Sequence, residues 1–142
     1  MATMAVAGMV FGIAHAQDAL VLPADRAFGI SARRVSTRTI AVDFSIAPGY
    51  ILYREKFAFA TNDPKVKLVK AVFPAPVVKY DKVFERDVGY YSDRVSIQFE
   101  VRGDAVPFRL TVVAQGCAVE QGVCYPPITK DFQVPAVNQR EA

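Results

Sequence analysis

The chain contains two cysteines, Cys117 and Cys124, with six residues between them. A disulfide between them closes a short ring, and in the chain-entropy model a ring of about eight residues stabilises a fold by only roughly 2–3 kcal/mol. Two thiols this close can instead serve thiol–disulfide exchange, in which one thiolate attacks and the second resolves the mixed disulfide. The alternative is an inert hairpin crosslink in a secreted binding module. The residues alone leave both interpretations open.

Other reactive chemistry is largely excluded by composition. The only histidine is His15, which lies in a predicted leader, so the mature chain cannot use Ser-His or Cys-His catalysis. Two cysteines without histidine do not complete a tetrahedral zinc site, and glycine-rich phosphate loops are absent. The net charge of +3 is small and its Lys and Arg residues are scattered, which gives no nucleic-acid footprint. The sequence therefore predicts no metal, no cofactor, no small-molecule ligand and no nucleic-acid partner.

The N-terminus predicts export. Residues 1–16 carry no charged side chain and end in a small-x-small pattern at Ala14 and Ala16, which is typical of a secretory signal peptide cut before Gln17. No Lys or Arg precedes the apolar run, and the alternative is an apolar N-terminal strand or a disordered tail. Export would let a disulfide persist. We expect one domain over residues 17–136, followed by a polar tail or linker start at residues 137–142.

Alternating apolar and polar residues predict an all-β fold. Three segments alternate (39–46, 95–101 and 108–114), the second of them strictly, and the last leads directly into Cys117. Weaker strands are predicted at 50–60 and 66–73, with a return strand at 128–134 after Pro126 and Pro127. No segment shows a helical stripe. Short strands separated by frequent turns predict a single-domain antiparallel β-sandwich of immunoglobulin-like architecture.

The cysteine segment resembles a known family. Residues 115–117 read QGC and residues 122–130 read GVCYPPITK, which is similar to the N-terminal periplasmic domain of the thiol:disulfide interchange protein DsbD. Further matches occur in the right order at residues 22–28 (LPADRAF), 49–54 (GYILYR) and 91–95 (YSDRV). The similarity covers nearly all of the chain between residues 20 and 134.

The resemblance implies a periplasmic protein-disulfide reductase with an immunoglobulin-like fold, associated with an inner-membrane protein. Such a domain takes electrons from a membrane-embedded DsbD domain. It passes them to periplasmic thioredoxin-fold proteins, including a disulfide isomerase and a thioredoxin of cytochrome c maturation. Carried over to this sequence, Cys124 is the cysteine that bonds to the partner and Cys117 is the resolving one.

The resemblance also implies a cap over the cysteines. Residues 79–86 match a family loop whose phenylalanine covers the disulfide, and Phe84 is the residue in that place. An apolar ring there would exclude small thiols. Tyr53 matches a tyrosine near the family's active site. The alternatives are that Phe84 is an ordinary core residue and that Tyr53 is a cross-strand aromatic.

The sequence departs from the family pattern in two places. Some members have one residue fewer between the cysteines, and Lys82 and Val83 replace an acidic pair before the cap phenylalanine. Asp81, Glu85 and Asp87 would disfavour a thiolate if they approached the cysteines. Such residues more often form a solvated loop, so they are not counted as site residues. The chain also ends near residue 142, as an excised domain or a split homologue would.

Overall fold

The computed structural model describes residues 21–103 and 107–136. The predicted signal peptide and the tail at residues 137–142 lie outside these residues. The described part forms one four-residue helix, one 3-10 turn and twelve strands. In chain order the elements are α1 (Ala24–Ala27), β1 (Phe28–Ser36), β2 (Thr39–Ile46), β3 (Tyr50–Tyr53), the 3-10 turn (Arg54–Lys56), β4 (Ala58–Thr61), β5 (Lys67–Val72), β6 (Val77–Asp81), β7 (Arg86–Tyr91), β8 (Arg94–Arg102), β9 (Phe108–Ala114), β10 (Gly116–Ala118), β11 (Val123–Cys124) and β12 (Ile128–Val134).

The strands form three antiparallel sheets, with the orders β1-β2-β8-β5, β11-β10-β3-β7-β6 and β12-β9-β4. The second and third sheets share two nearly continuous lines of chain, because β9 runs into β10 and β3 is followed by β4. At one end of these lines β4 pairs with β9, and at the other end β3 pairs with β10. The fold is therefore the predicted all-β, immunoglobulin-like sandwich.

The core is built by the alternating strands that the sequence predicts. All four apolar residues of the 39–46 alternation are buried, and so are all four of the 108–114 alternation. In β8 the first three apolar residues are buried and Val101 is half-buried. Burial of one strand face is the force that selects this period of two.

Two predictions need correction. The segment predicted as one strand from Tyr50 to Ala60 is broken by the 3-10 turn at Arg54–Lys56, so that β3 and β4 pair with different parts of the β9–β10 line. Strands β1, β6, β7, β10 and β11 were not predicted.

None of the helices in the described part of the chain is long and apolar enough to span a membrane.

Candidate redox site on the outer face of a sheet

The two cysteines are bonded across a short hairpin. Cys117 in β10 and Cys124 in β11 are direct partners in the antiparallel register, and their sulfurs form a disulfide with an S–S distance of 2.05 Å. Their surroundings differ, since Cys117 is only 5% exposed and Cys124 lies in a two-residue strand that is exposed throughout. The sequence-based expectation that the pair would face each other across a hairpin is confirmed.

Gly116 lets β10 approach its neighbours closely. A Cβ atom at this position would lie 2.0 Å from the carbonyl oxygen of Ile51 and 2.9 Å from the ring of Phe28. Only glycine fits such a contact with the backbone of β3. The glycine before Cys117 therefore sets the position of the buried sulfur relative to β3.

Tyr53 contacts the buried sulfur. Its side chain is 7% exposed, and its hydroxyl oxygen lies 3.4 Å from Cys117 Sγ and 3.1 Å from Asp81 Oδ2. The hydroxyl donates to the carboxylate, which can only accept. Cys117 Sγ carries no proton in the disulfide, so it does not donate to the phenol. Burial, together with the hydrogen bond and the negative charge of Asp81, raises the pKa of Tyr53 to about 12. The phenol is therefore fully protonated at neutral pH.

Asp81 belongs to the site. The expectation that it is only a residue of a solvated loop is therefore wrong. Its Oδ1 atom accepts hydrogen bonds from the backbone N–H groups of Val83 (2.7 Å) and Phe84 (3.2 Å), and its Oδ2 atom accepts the Tyr53 hydroxyl. Burial opposes ionisation, but the three hydrogen bonds and the charge of Arg86 hold the pKa of Asp81 below its usual value. One ionised carboxylate therefore fixes both the β6–β7 loop and the tyrosine beside Cys117. An aspartate at the start of a tight turn is the sequence signal that could have identified the first of these roles.

Phe84 lies at the tip of the β6–β7 hairpin and packs on the same tyrosine. The rings of Phe84 and Tyr53 meet edge to face with centroids 5.5 Å apart. The charged groups of Lys56 and Arg86 lie 5.6 and 5.7 Å from the Phe84 centroid, within cation–π range. Arg86 also forms a bidentate ion pair with Glu55, at 2.7 and 2.6 Å. The loop is thus held on both sides, while the Phe84 ring is still 36% exposed.

The four residues singled out from the sequence are brought together. Cys117 and Cys124 are bonded, Tyr53 contacts Cys117 Sγ, and Phe84 contacts Tyr53. Phe84 is not a core residue, since a third of its surface is exposed. Its role as a cap and the roles of attacking and resolving cysteine stay predictions. The other two acidic residues of the loop, Glu85 and Asp87, are exposed.

Exposed apolar side chains occur at both edges of the sheet that carries the disulfide. Among the described residues, nine large apolar side chains are exposed, and seven of them lie in β6, in the loop after it or between the cysteines: Val77, Val78, Tyr80, Val83, Phe84, Val119 and Val123. A groove of about 190 Å³ opens among Ile51, Lys79, Val88, Tyr90 and Val119. Exposed apolar side chains concentrated in one area mark an interaction surface.

No cluster of His, Cys, Asp and Glu able to hold a metal ion occurs within residues 21–103 and 107–136. The groups that this site offers for chemistry are its two sulfurs, the Tyr53 phenol and the Asp81 carboxylate.

Comparisons with known proteins agree on one family. Residues 18–136 match the family model described as thiol:disulfide interchange protein DsbD, N-terminal. DsbD of Ralstonia nicotianae is 41% identical over 113 residues, which are 80% of this chain and 18% of that protein. DsbD 1 of Pseudomonas aeruginosa is 34% identical over 80% of this chain and 19% of its own length. The chain thus spans about a fifth of the curated relatives it matches.

Two solved structures are similar over most of their own length. The reduced N-terminal domain of DsbD from Neisseria meningitidis superposes with a TM-score of 0.74 at 30% identity, covering 85% of this chain and 94% of that one. The second structure is a complex between the DsbD N-terminal and PilB N-terminal domains of the same organism. It superposes with a TM-score of 0.66 at 32% identity, covering 80% of this chain and 86% of that one.

Proposed function

The chain belongs to the family of the N-terminal domain of the thiol:disulfide interchange protein DsbD, and we propose that it is a protein-disulfide reductase domain acting through Cys117 and Cys124. The observation that carries the proposal is the unequal exposure of a bonded pair. Cys124 is open to a partner, whereas Cys117 is buried directly behind it. An attacking thiol must be accessible, and a resolving thiol must be close to the sulfur it attacks.

The exchange proceeds in two balanced steps from the dithiol form. The Cys124 thiolate attacks one sulfur of a partner disulfide, which forms a mixed disulfide and releases the other partner sulfur as a thiolate. The Cys117 thiolate then attacks Cys124 Sγ, and the bond between the two proteins breaks. The partner leaves with two thiols and two electrons, and the domain regains the disulfide seen in the structure.

The tyrosine and the aspartate support this division of roles. Because the Tyr53 proton is committed to Asp81, the phenolic oxygen presents a lone pair to Cys117. In the dithiol form the Cys117 thiol donates to that oxygen, which favours the protonated thiol over the thiolate. Cys124 lies in a strand that is exposed at both of its residues, and this accessibility is what makes it the first nucleophile.

The accessible sulfur is therefore the one that we expect to react first. Cys124 lies in a strand that is exposed at both of its residues, so a partner disulfide can approach it without displacing the core. Cys117 becomes reactive only after the mixed disulfide has formed, because its attack needs no approach from outside. The order of events thus follows from exposure.

The partners in this proposal are those of the family resemblance. The exposed apolar side chains around the hairpin provide the docking surface for periplasmic thioredoxin-fold acceptors, such as a disulfide isomerase or a cytochrome c maturation thioredoxin. A relative's N-terminal domain forms a complex with a PilB N-terminal domain, which supports protein partners of this kind. A membrane-embedded DsbD domain would return the disulfide to the dithiol form. In this proposal the domain acts in the periplasm, beside an inner-membrane protein.

Trapping of the mixed disulfide tests the proposal. Cys117→Ser should accumulate a covalent adduct between Cys124 and an oxidised thioredoxin-fold protein, visible on a non-reducing gel and by intact mass. Cys124→Ser is the matched control, and it should form no adduct because its remaining thiol is buried. If neither variant forms an adduct, the pair is a structural crosslink in a secreted binding module and the proposal is wrong.

A further inference from the structure

Two tyrosine hydroxyls hold the backbone of one residue, Leu22, near the start of the described chain. The N–H of Leu22 donates to the Tyr50 hydroxyl at 2.7 Å, and the C=O of Leu22 accepts from the Tyr125 hydroxyl. The two rings lie near each other, with centroids 6.2 Å apart. Leu22 is therefore bound by residues that are 28 and 103 positions away in the sequence.

Tyr125 is also fixed through its backbone and its ring. Its N–H donates to the Gly116 carbonyl at 3.0 Å, and its own carbonyl accepts from the Gln115 side-chain amide at 3.1 Å. Its ring meets that of Phe28 edge to face, with centroids 5.4 Å apart and planes at 90°. The residue that follows Cys124 is thus attached at four points to β1, to the β9–β10 line and to Leu22.

The chain on the other side of Cys124 has far less support. Residues 120–123 are all exposed, and Gly122 has a φ of +62°. The strand that carries Cys124 has only two residues, each with one partner in β10. When the disulfide is reduced, the position of Cys124 relative to Cys117 therefore depends mainly on its C-terminal neighbour.

We propose that Tyr125 is a positioning residue that keeps the Cys124 thiol within reach of Cys117 in the dithiol form. Its hydroxyl, held by Leu22, sets the effective concentration of one thiol relative to the other, and so the reduction potential of the pair. This inference rests on the proposed exchange function, and it assigns part of the tuning of that function to a residue outside the disulfide.

The direction of the change in reduction potential depends on which redox form gains conformational freedom when the Tyr125 hydroxyl is removed. Removing the hydroxyl loosens Cys124 in the dithiol form, whereas in the disulfide form the S–S bond still restrains it. The dithiol form gains conformational entropy that the disulfide form does not, so the dithiol becomes relatively more stable. The variant disulfide is consequently easier to reduce.

Redox equilibration with glutathione tests the inference in the folded protein. Wild type and Tyr125→Phe are equilibrated at pH 7 in buffers of graded glutathione ratio, alkylated and quantified by mass. We expect the effective concentration to fall about fivefold, the equivalent of one typical hydrogen bond, which corresponds to a potential about 20 mV less negative. Gln115→Met, which removes the amide that holds the Tyr125 carbonyl, should shift the potential in the same direction.

Tyr50→Phe is the matched control, because it removes the other hydroxyl that binds the backbone of Leu22. It should lower the stability of the protein without moving the potential. Equal potentials for wild type, Tyr125→Phe and Gln115→Met would overturn the inference while leaving the proposed function intact, and so would an equal shift in Tyr50→Phe. A wild-type disulfide that glutathione reduces only in denaturant would instead overturn the proposed function.

Discussion

The two faces of the β11-β10-β3-β7-β6 sheet differ in role, because one packs in the main core and the other carries the cysteine site. On the inner face, Leu52 and Ala118 are completely buried and belong to the main core. On the outer face, the adjacent residues Tyr53 and Cys117 form a separate small cluster with Val88. One period-two alternation thus sends successive residues of the same strand into the core and into the redox site. The fold is stabilised by one face, and the chemistry lies on the other.

Because the two faces are separate, we expect that residues of the site can be substituted without loss of the fold. The outer cluster has three buried residues, supported by the half-buried Ile51 and Tyr90, whereas the core draws on strands of all three sheets. We therefore expect core substitutions to alter stability and outer-face substitutions to alter thiol reactivity.

The largest expected effect is on stability, from a substitution in the core. Leu110 in β9 is fully buried, and Leu110→Ala should lower the free energy of unfolding by about 3 kcal/mol, because it removes buried surface and leaves a cavity. Urea denaturation measures this change. Thiol exchange by the folded fraction should be unchanged. Val83→Ala, at a site 77% exposed, is the control and should change stability by less than about 0.5 kcal/mol.

An intermediate effect is expected on reactivity, from Phe84. If this ring shields the disulfide, Phe84→Ala should speed reduction by a small thiol such as dithiothreitol severalfold, while the thermal midpoint changes little because the ring is partly exposed. Stopped-flow measurement under native conditions gives the rate. Val83→Ala serves again as the neighbouring control in the same loop. An unchanged reduction rate in Phe84→Ala would show that Phe84 does not shield the disulfide.

The smallest effect is expected from Asp81, and it depends on pH. The pKa of this carboxyl is lowered in the folded protein, so its stabilising contribution is present at neutral pH and is lost as the pH falls through the lowered value, below about 4. Wild type should therefore melt slightly above Asp81→Asn at pH 7, and the difference between the two midpoints should shrink steadily as the pH falls below about 4. A difference that stays constant from pH 7 down to acid pH would contradict the role assigned to the ionised carboxylate.

The parts of the fold that the sequence could predict are those with one buried face. In β2 and β9 the apolar residues alternate because they face the core, and the predicted segments 39–46 and 108–114 match the observed strands. Strand β6 gave no such signal, since Val77, Val78 and Tyr80 are exposed whichever way they point. An edge strand without a buried face carries no alternation to recognise.

Some residues of the site could be predicted from the sequence and others could not. The bonding of Cys117 with Cys124 followed from their spacing, and Tyr53 and Phe84 followed only from family resemblance. The link through Asp81 could not be predicted, because Tyr53 lies 28 residues away and reaches the carboxylate only when β3 and β6 stand on either side of β7. Such a contact depends on sheet order, which local patterns do not specify.

The central claim is that the Cys117–Cys124 disulfide reacts in the native fold. Hydrogen exchange followed by mass spectrometry, during reduction by a reduced thioredoxin-fold protein, tests it directly. We predict that the disulfide is reduced while amides of β2, β8 and β9 stay protected, because Cys124 is an exposed residue that a partner reaches without opening of the core. Reduction that proceeds only as fast as those core amides exchange would contradict the claim, and would identify the disulfide as a structural crosslink.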